Sequence, residues 1–376
     1  MTEDQSVKPA ELACPACGEP VYPGEGFCEA CGRRLGDGVA APAPEPVRAC
    51  AGCAAPAIDA DGYCERCGLR QPAERDHYEI ELPGPNGRLL AAGGSDRGKR
   101  YSRNEDALAL AAHPTGVAAV VCDGVGSSPT PHEASAKAAA TGADELTGRL
   151  GKGEDFEAAT RAALIKAADA VAALAPDPDS APSCTYVSAV TGPRSVTVGW
   201  VGDSRVYWLP TRPAGDGPRA GAEVDTAELA IGDTGASEDT ADSAALGPAR
   251  RLTDDDSWAA IMVERAALTE AEAEAHPNAH VITGWLGADA GEVAPHVRTF
   301  TVDGPGAVLV CSDGLWNYLP QAEALVQALA DASLDPAGDP LGAVRTLVRR
   351  ALDAGGRDNI TVAVIPVAHP HTEQPR

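Results

Sequence analysis

Nowhere among the 376 residues does an uninterrupted apolar run approach the roughly 18–20 residues of a membrane span. The first residues, Met1-Thr2-Glu3-Asp4-Gln5, lack the basic and then apolar pattern of a secretory signal. Together these absences predict a cytoplasmic protein without a membrane partner. Basic residues are also scarce: 30 Lys and Arg stand against 55 Asp and Glu, a net charge of −25. Phosphate backbones are held by clustered Lys and Arg, so no nucleic-acid partner is expected. Most of the acidic excess reads as a solvated surface. Hydrophobic residues still make up 44% of the chain, enough for one large domain plus a small module.

Cysteine, by contrast, is abundant and clustered. Of 11 cysteines, eight fall within residues 14–67, as Cys14, Cys17, Cys28 and Cys31, then Cys50, Cys53, Cys64 and Cys67. The second quartet repeats the first at an offset of 36 residues, an internal duplication. Each unit reads C-x2-C, ten residues, C-x2-C, which can place four thiolates around one zinc at about 2.3 Å. Without a secretory signal, two structural zinc ions explain the cysteines better than disulfides. A ribbon of about twenty residues buries too little apolar surface to fold alone, and metal binding supplies the difference. Residues 11–71 carry nine acidic and five basic side chains, so the module is expected to bind protein rather than nucleic acid. The Pro- and Ala-rich stretch 36–47 reads as a spacer between the units, and 73–88 as the linker that follows them.

Beyond Leu89, short Val-rich runs predict buried strands at Val117–Cys122, Ser195–Val201, Ala307–Cys311 and Ile360–Ile365. Val206–Leu209 is expected as a hairpin partner across the turn Gly202-Asp203-Ser204-Arg205. Thr130-Pro131-His132-Glu133 reads as a capping box opening a helix to Leu150, with His132 serving that cap. A second helix runs from Phe156 toward Pro176, and a third opens at Asp339-Pro340 and closes at Gly355-Gly356. Consecutive helices and grouped strands imply packed sheets flanked by helices. Cys122, Cys184 and Cys311 are assigned to the core, and Trp200, Trp208, Trp285 and Trp316 to the core or its edge. Residues 211–248 hold eight acidic and two basic side chains and no aromatics, the composition of a mobile surface insertion.

Five acidic clusters adjoin the apolar runs: Asn104-Glu105-Asp106, Asp123-Gly124, Gly202-Asp203-Ser204, Ser312-Asp313-Gly314 and Asp358-Asn359. One aspartate after a strand is an ordinary turn residue. Five beside core strands would cost several kcal/mol each if desolvated without a partner, and hard cations with oxygen ligands are a natural partner. Two divalent ions held by aspartates form a phosphoryl-transfer site.

The succession runs from Ser95-Asp96-Arg97-Gly98 through Arg103-Asn104-Glu105-Asp106, Val121-Cys122-Asp123-Gly124, Gly202-Asp203-Ser204-Arg205 and Ser312-Asp313-Gly314 to Asp358-Asn359. It resembles the metal-dependent serine/threonine phosphatases of the protein phosphatase 2C (PPM) family over roughly residues 89–368, followed by a short tail, 369–376. The cysteine segment, residues 1–72, resembles a double zinc ribbon. The resemblance implies an α+β fold, a four-layer α-β-β-α sandwich, with two Mn²⁺ or Mg²⁺ ions at one end. It implies that Asp123 bridges the ions and that the Gly124 carbonyl joins one of them. Asp313 and Asp358 would hold the first ion, Glu105 or Asp106 would hold the second shell or a metal-bound water, and Asp203 a third, weaker ion. The family's phosphate-binding arginine is replaced by Tyr101, which leaves Arg100 or Arg103 to bind phosphate. Val125 stands where eukaryotic relatives carry a histidine. The implied activity is hydrolysis of phosphoserine and phosphothreonine in a protein client, with a Ser/Thr kinase or its substrate as the candidate partner. The rival readings are a phosphoprotein-binding scaffold and a phosphatase of small phosphorylated metabolites.

Overall fold

The computed structural model describes residues 49–59, 62–175, 180–211 and 245–367, with Leu12–Cys14, Cys17, Pro20, Val21, Cys28, Ala30, Cys31 and Arg33. The spacer 36–47, residues 212–244 of the acidic insertion and the tail 369–376 lie outside them. Two units emerge, Met1–Pro72 and Ala73–Arg376.

In the first unit, β1 (Leu12–Ala13) pairs antiparallel with β2 (Pro20–Val21). Its second half is tied by the bridges Ile58–Cys64 and Tyr63–Arg70.

The second unit is built on two six-stranded sheets. One contains β5 (Ala107–His113), β6 (Gly116–Cys122), β7 (Tyr186–Thr191), β8 (Ser195–Val201), β10 (Ala245–Leu246) and β12 (His296–Val302). Its order is β10-β12-β8-β7-β6-β5. The other contains β3 (His77–Pro83), β4 (Leu89–Asp96), β9 (Arg205–Pro210), β11 (Arg250–Arg251), β13 (Gly306–Cys311) and β14 (Ile360–Val367). Its order is β11-β9-β13-β14-β4-β3. Helices α1 (Pro131–Leu150) and α2 (Phe156–Ala172) cover the first sheet. The second is covered by α5 (Asp313–Trp316), α6 (Ala322–Asp331) and α7 (Pro340–Ala354). Short helices α3 (Trp258–Glu264) and α4 (Glu270–Glu274) lie between β11 and β12 in the chain.

The four layers follow from strand alternation. Successive strand side chains point to opposite faces. In β6, Val117, Ala119 and Val121 enter the core between the sheets, while Ala118, Val120 and Cys122 pack against α1 and α2. In β13, Val308 and Val310 face inward, and Ala307, Leu309 and Cys311 face α6 and α7. Both faces are buried, which is why these strands read as continuous apolar runs.

Four expectations need correction. Residues 77–83, assigned to a linker, form β3, which pairs with β4 from His77–Asp96 to Pro83–Leu89. Its alternating Tyr78, Ile80 and Leu82 pack on the inter-sheet core, a strand signal masked by the nearby Pro and Gly. Val206–Leu209 is not a hairpin partner of β8: β8 pairs with β7 and β12, whereas β9 pairs with β11 and β13. Gly202-Asp203-Ser204 carries the chain from one sheet to the other, with Gly202 at φ 107°. Thr130 makes no side-chain cap; it adopts the left-handed conformation (φ 44°), and its carbonyl accepts from the Glu133 N–H at 2.9 Å. His132 does not cap α1 with its ring either, which lies against Arg103.

Candidate metal centre

The five acidic clusters meet at one end of the two sheets through a chain of hydrogen bonds. Asp106 closes the loop before β5 and is fully buried. Its Oδ2 accepts from Ser312 Oγ at 2.8 Å, which places it beside Asp313 at the start of α5. The Glu105 N–H donates to Asn359 Oδ1 at 2.7 Å, tying the same loop to the start of β14. Asn359 Nδ2 donates to the carbonyls of Arg97 (2.8 Å) and Arg103 (3.2 Å), and its own N–H donates to Asp358 Oδ1 at 2.8 Å. Asp123, at the end of β6, donates its N–H to Thr185 Oγ1 at 3.0 Å, and Thr185 Oγ1 contacts Ser204 Oγ at 2.9 Å. Ser204 follows Asp203, whose carbonyl accepts from Trp316 Nε1 at 2.9 Å. Gly314 has no room for a side chain, which would run into the Asn359 carbonyl, so α5 and the Asp358 loop can touch.

The electrostatic consequence is severe. Asp123 keeps part of its surface open, yet protein atoms crowd it closely. Burial, then Asp106, Asp313, Asp203 and Asp358 in that order, push its carboxyl well above the usual range. Burial is the first cause for Asp106 and Asp358 too, both pushed up to about 7, and it also raises Asp203, Asp313 and Glu105. Asp106 Oδ1 and Asp313 Oδ1 are buried with no hydrogen-bond partner. Such atoms are costly unless something absent from the protein chain completes them.

Divalent cations fit this donor set. The chemistry is all-oxygen, the unpaired atoms are carboxylate oxygens, and no basic side chain bonds Asp106, Asp123, Asp313 or Asp358 among the described residues. Among those residues, only the cysteine quartets form groups whose ligand atoms all lie within 4.8 Å of one another.

Arg100 and Arg103 are both exposed. Arg103 Nη1 lies 3.2 Å from His132 Nε2, while Tyr101 is half-buried, its phenol raised first by Asp358. Val125 donates its backbone N–H to the Ser183 carbonyl at 2.9 Å and brings no acid to the site. Beside Asp203 lies a cavity of about 800 Å³ walled by Trp200, Arg205, Asp255, His280 and Trp316 together with α3 and α4. Sequence reasoning gave no role to Asn359, Ser312 or Thr185; each is a small polar residue whose partner comes from a distant element.

In the first unit, Cys14–Cys31 and Cys17–Cys28 sulfurs are 3.7 and 3.6 Å apart, and Cys50–Cys67 and Cys53–Cys64 are both 3.6 Å apart. Four sulfurs about 2.3 Å from one ion in a tetrahedron would be about 3.8 Å apart, so the donors fit zinc. The Cys53 and Gly52 N–H groups point at Cys50 Sγ (3.4 and 3.3 Å) and, Cys53 first, pull that thiol down to about 6. Ala54 takes the left-handed conformation (φ 57°) that Gly68 takes in the matching turn (φ 70°).

A family model for protein phosphatase 2C matches residues 94–340, about two thirds of the chain. The chain belongs to the protein phosphatase 2C family. A double zinc ribbon model matches residues 14–68. Protein phosphatase PhpP of Streptococcus pneumoniae is 36% identical over 115 residues, 31% of this chain and 44% of that protein. The chain therefore spans less than half the length of this curated relative. The PPM Ser-Thr phosphatase MsPP of Mycobacterium smegmatis, solved with cacodylate, is 28% identical with a TM-score of 0.52, over 74% of this chain and 98% of that one. The serine/threonine phosphatase PstP/Ppp of Mycobacterium tuberculosis shares the fold at 24% identity and a TM-score of 0.54, over the same shares. The protein phosphatase 2C fold of this chain is thus the observed four-layer sandwich, with a double zinc ribbon before it in sequence.

Proposed function

We propose that this protein is a divalent-metal-dependent phosphatase that hydrolyses phosphoserine and phosphothreonine in a protein client. The convergence of five aspartates from both sheets, two with an unpaired buried oxygen, carries that reading. Mn²⁺ or Mg²⁺ bound there would neutralise phosphoryl oxygens and activate water.

Asp123, raised by burial and then by Asp106, Asp313, Asp203 and Asp358, would be the carboxylate that both ions share. Asp313 and Asp358 would hold the first ion, the Gly124 carbonyl would join one of the pair, and Glu105 or Asp106 would hold the second shell or a metal-bound water. Asp203 offers a third, weaker site. Arg100 or Arg103, both exposed, would take a phosphate oxygen pair through a guanidinium. His132 is a poor proton donor near pH 7, because burial, then Arg103 and Arg75, hold its imidazole below the ordinary histidine value. The cavity beside Asp203 falls within the roughly 300–1,000 Å³ of ligand pockets and suits a client segment next to the phosphorylated residue. The ribbons, each holding one zinc, would raise the client's effective concentration at the site. A cytoplasmic setting is part of the proposal; among the described residues no helix is long and apolar enough to cross a membrane.

The test is phosphate release from an aryl phosphate and a phosphothreonine peptide, with Mn²⁺ or Mg²⁺ and with EDTA. Activity should need the metal, and Asp123→Ala or Asp313→Ala should lower it by orders of magnitude. Metal-independent or absent turnover would sink the reading.

A further inference from the structure

The turn Glu74–Asp76 follows the ribbon unit directly in the chain and reads as linker, yet it is stitched to the metal centre. Arg75 Nη2 donates to the Asp106 carbonyl at 2.8 Å, and Arg75 Nη1 to the His132 carbonyl at 3.2 Å. The contact is reciprocal: Asn104 Nδ2 donates to the Arg75 carbonyl at 2.9 Å, and to Ser95 Oγ at 2.8 Å. Beside it, the Arg97 N–H donates to the Asp76 carbonyl at 2.8 Å, and Arg97 Nε lies 3.6 Å from Asp76 Oδ1.

We propose that Arg75 is a positioning residue for Asp106, bracing the loop that carries it against the first turn of α1. The inference rests on the reading of Asp106 as part of the metal centre. Asp106 is held at three points: its N–H donates to Asn104 Oδ1 (3.2 Å), its Oδ2 accepts from Ser312, and its carbonyl accepts from Arg75. Oδ1 alone is left unpaired and buried. Without Arg75 the anchor on the Asp106 carbonyl itself is lost, and the loop is left to the bonds of Asn104 with the Arg75 carbonyl and Ser95, of Ser135 with the Glu105 carbonyl, and of Ser312 and Asn359. A cation beside a helix N-terminus opposes the helix dipole, so this placement is unfavourable for α1 by itself. The two carbonyls and the nearby carboxylates offset that cost. One guanidinium spans both carbonyls, whereas a lysine ammonium is a single point charge.

The experiment uses the full chain and reads Mn²⁺ binding by calorimetry, with kcat and KM for an aryl phosphate beside it. Removing a group that orients a metal ligand costs about 10–100-fold in metal affinity or activity. Arg75→Ala should therefore weaken Mn²⁺ binding about tenfold or more and lower kcat more than it raises KM. Arg75→Lys should fall between that variant and the parent. A folded Arg75→Ala protein with Mn²⁺ affinity and kcat within about twofold of the parent would overturn the proposal. If the alanine variant does not fold, a folded Arg75→Lys protein indistinguishable from the parent overturns it instead. Mn²⁺ binding by the parent separates the two readings, since a parent that binds none refutes the metal centre and the brace together.

Discussion

If Tyr101 takes the place of the family's phosphate-binding arginine, the exposed Arg100 and Arg103 on either side of it are the proposed replacements. Arg103 is the better fixed, with Nη1 at His132 and its carbonyl held by Asn359. A fork of parallel N–H donors matches a phosphoryl group as a lysine cannot. Single Arg100→Ala and Arg103→Ala variants are expected to raise KM for an aryl phosphate several-fold, with smaller losses in kcat. Arg103→Lys should recover only part of the loss. Parent-like KM in both alanine variants would remove the arginines from substrate binding. Cys122, Cys184 and Cys311 are fully buried among the apolar residues of the core, as their place in the sequence implies.

At the scale of elements, α7 shows how local signals hold a layer in place. The Asp339 carboxylate accepts from the Gly342 N–H at 2.8 Å, Pro340 fills the first turn, and Gly355 and Gly356 end the helix with positive φ. Between these ends Ala343, Val344, Leu347, Val348 and Ala351 are buried on the second sheet. Asp339→Ala should cost about 1 kcal/mol through the lost cap. In a domain of this size that is a fall in Tm of roughly 2–4 °C, measurable by calorimetry. Turnover of an aryl phosphate should change little, because no proposed site residue lies on α7. A loss of activity at unchanged Tm would contradict that separation.

For the molecule as a whole, the acidic centre sets a pH dependence. Asp106 and Asp358 titrate near 7 in the folded chain, against about 3.9 for an unfolded aspartate. Between those values the folded state binds protons that the unfolded state has released, so stability falls as pH rises. The contribution is whole below about pH 4 and is lost as pH passes through about 7. Protein treated with EDTA is therefore expected to lose Tm between pH 5 and 8. Mn²⁺ should restore it, by more at pH 8 than at pH 5, because protons and metal compete for the same oxygens. Thermal unfolding across pH, with and without Mn²⁺, checks both halves; a Tm that rises with pH in EDTA would contradict the sign. The ribbons make a separate prediction: thiol modification should release two zinc ions per chain, counted with a chromogenic chelator. Release of one or none would leave a quartet unexplained.

What the sequence determined by itself was local in origin. Strand alternation, Pro and Gly at helix ends, and the cysteine spacing are encoded within a few residues of where they act. So Val117–Cys122, the helix from Pro131 to Leu150 and both cysteine quartets were legible, and so was the order of acidic motifs that marks the family. The tertiary structure decided what depends on distant partners. It made residues 77–83 an edge strand, because only the register with β4 shows where Tyr78, Ile80 and Leu82 point. It sent β9 to the opposite sheet from β8, because a turn sequence specifies a change of direction and not the strand that will be met next. It also gave Arg75 and Asn359 their places at the metal edge, since the carbonyls they hold come from Asp106, His132, Arg97 and Arg103. A hydrogen bond across tens or hundreds of residues leaves no period or spacing in the chain, and only packing brings its two ends together.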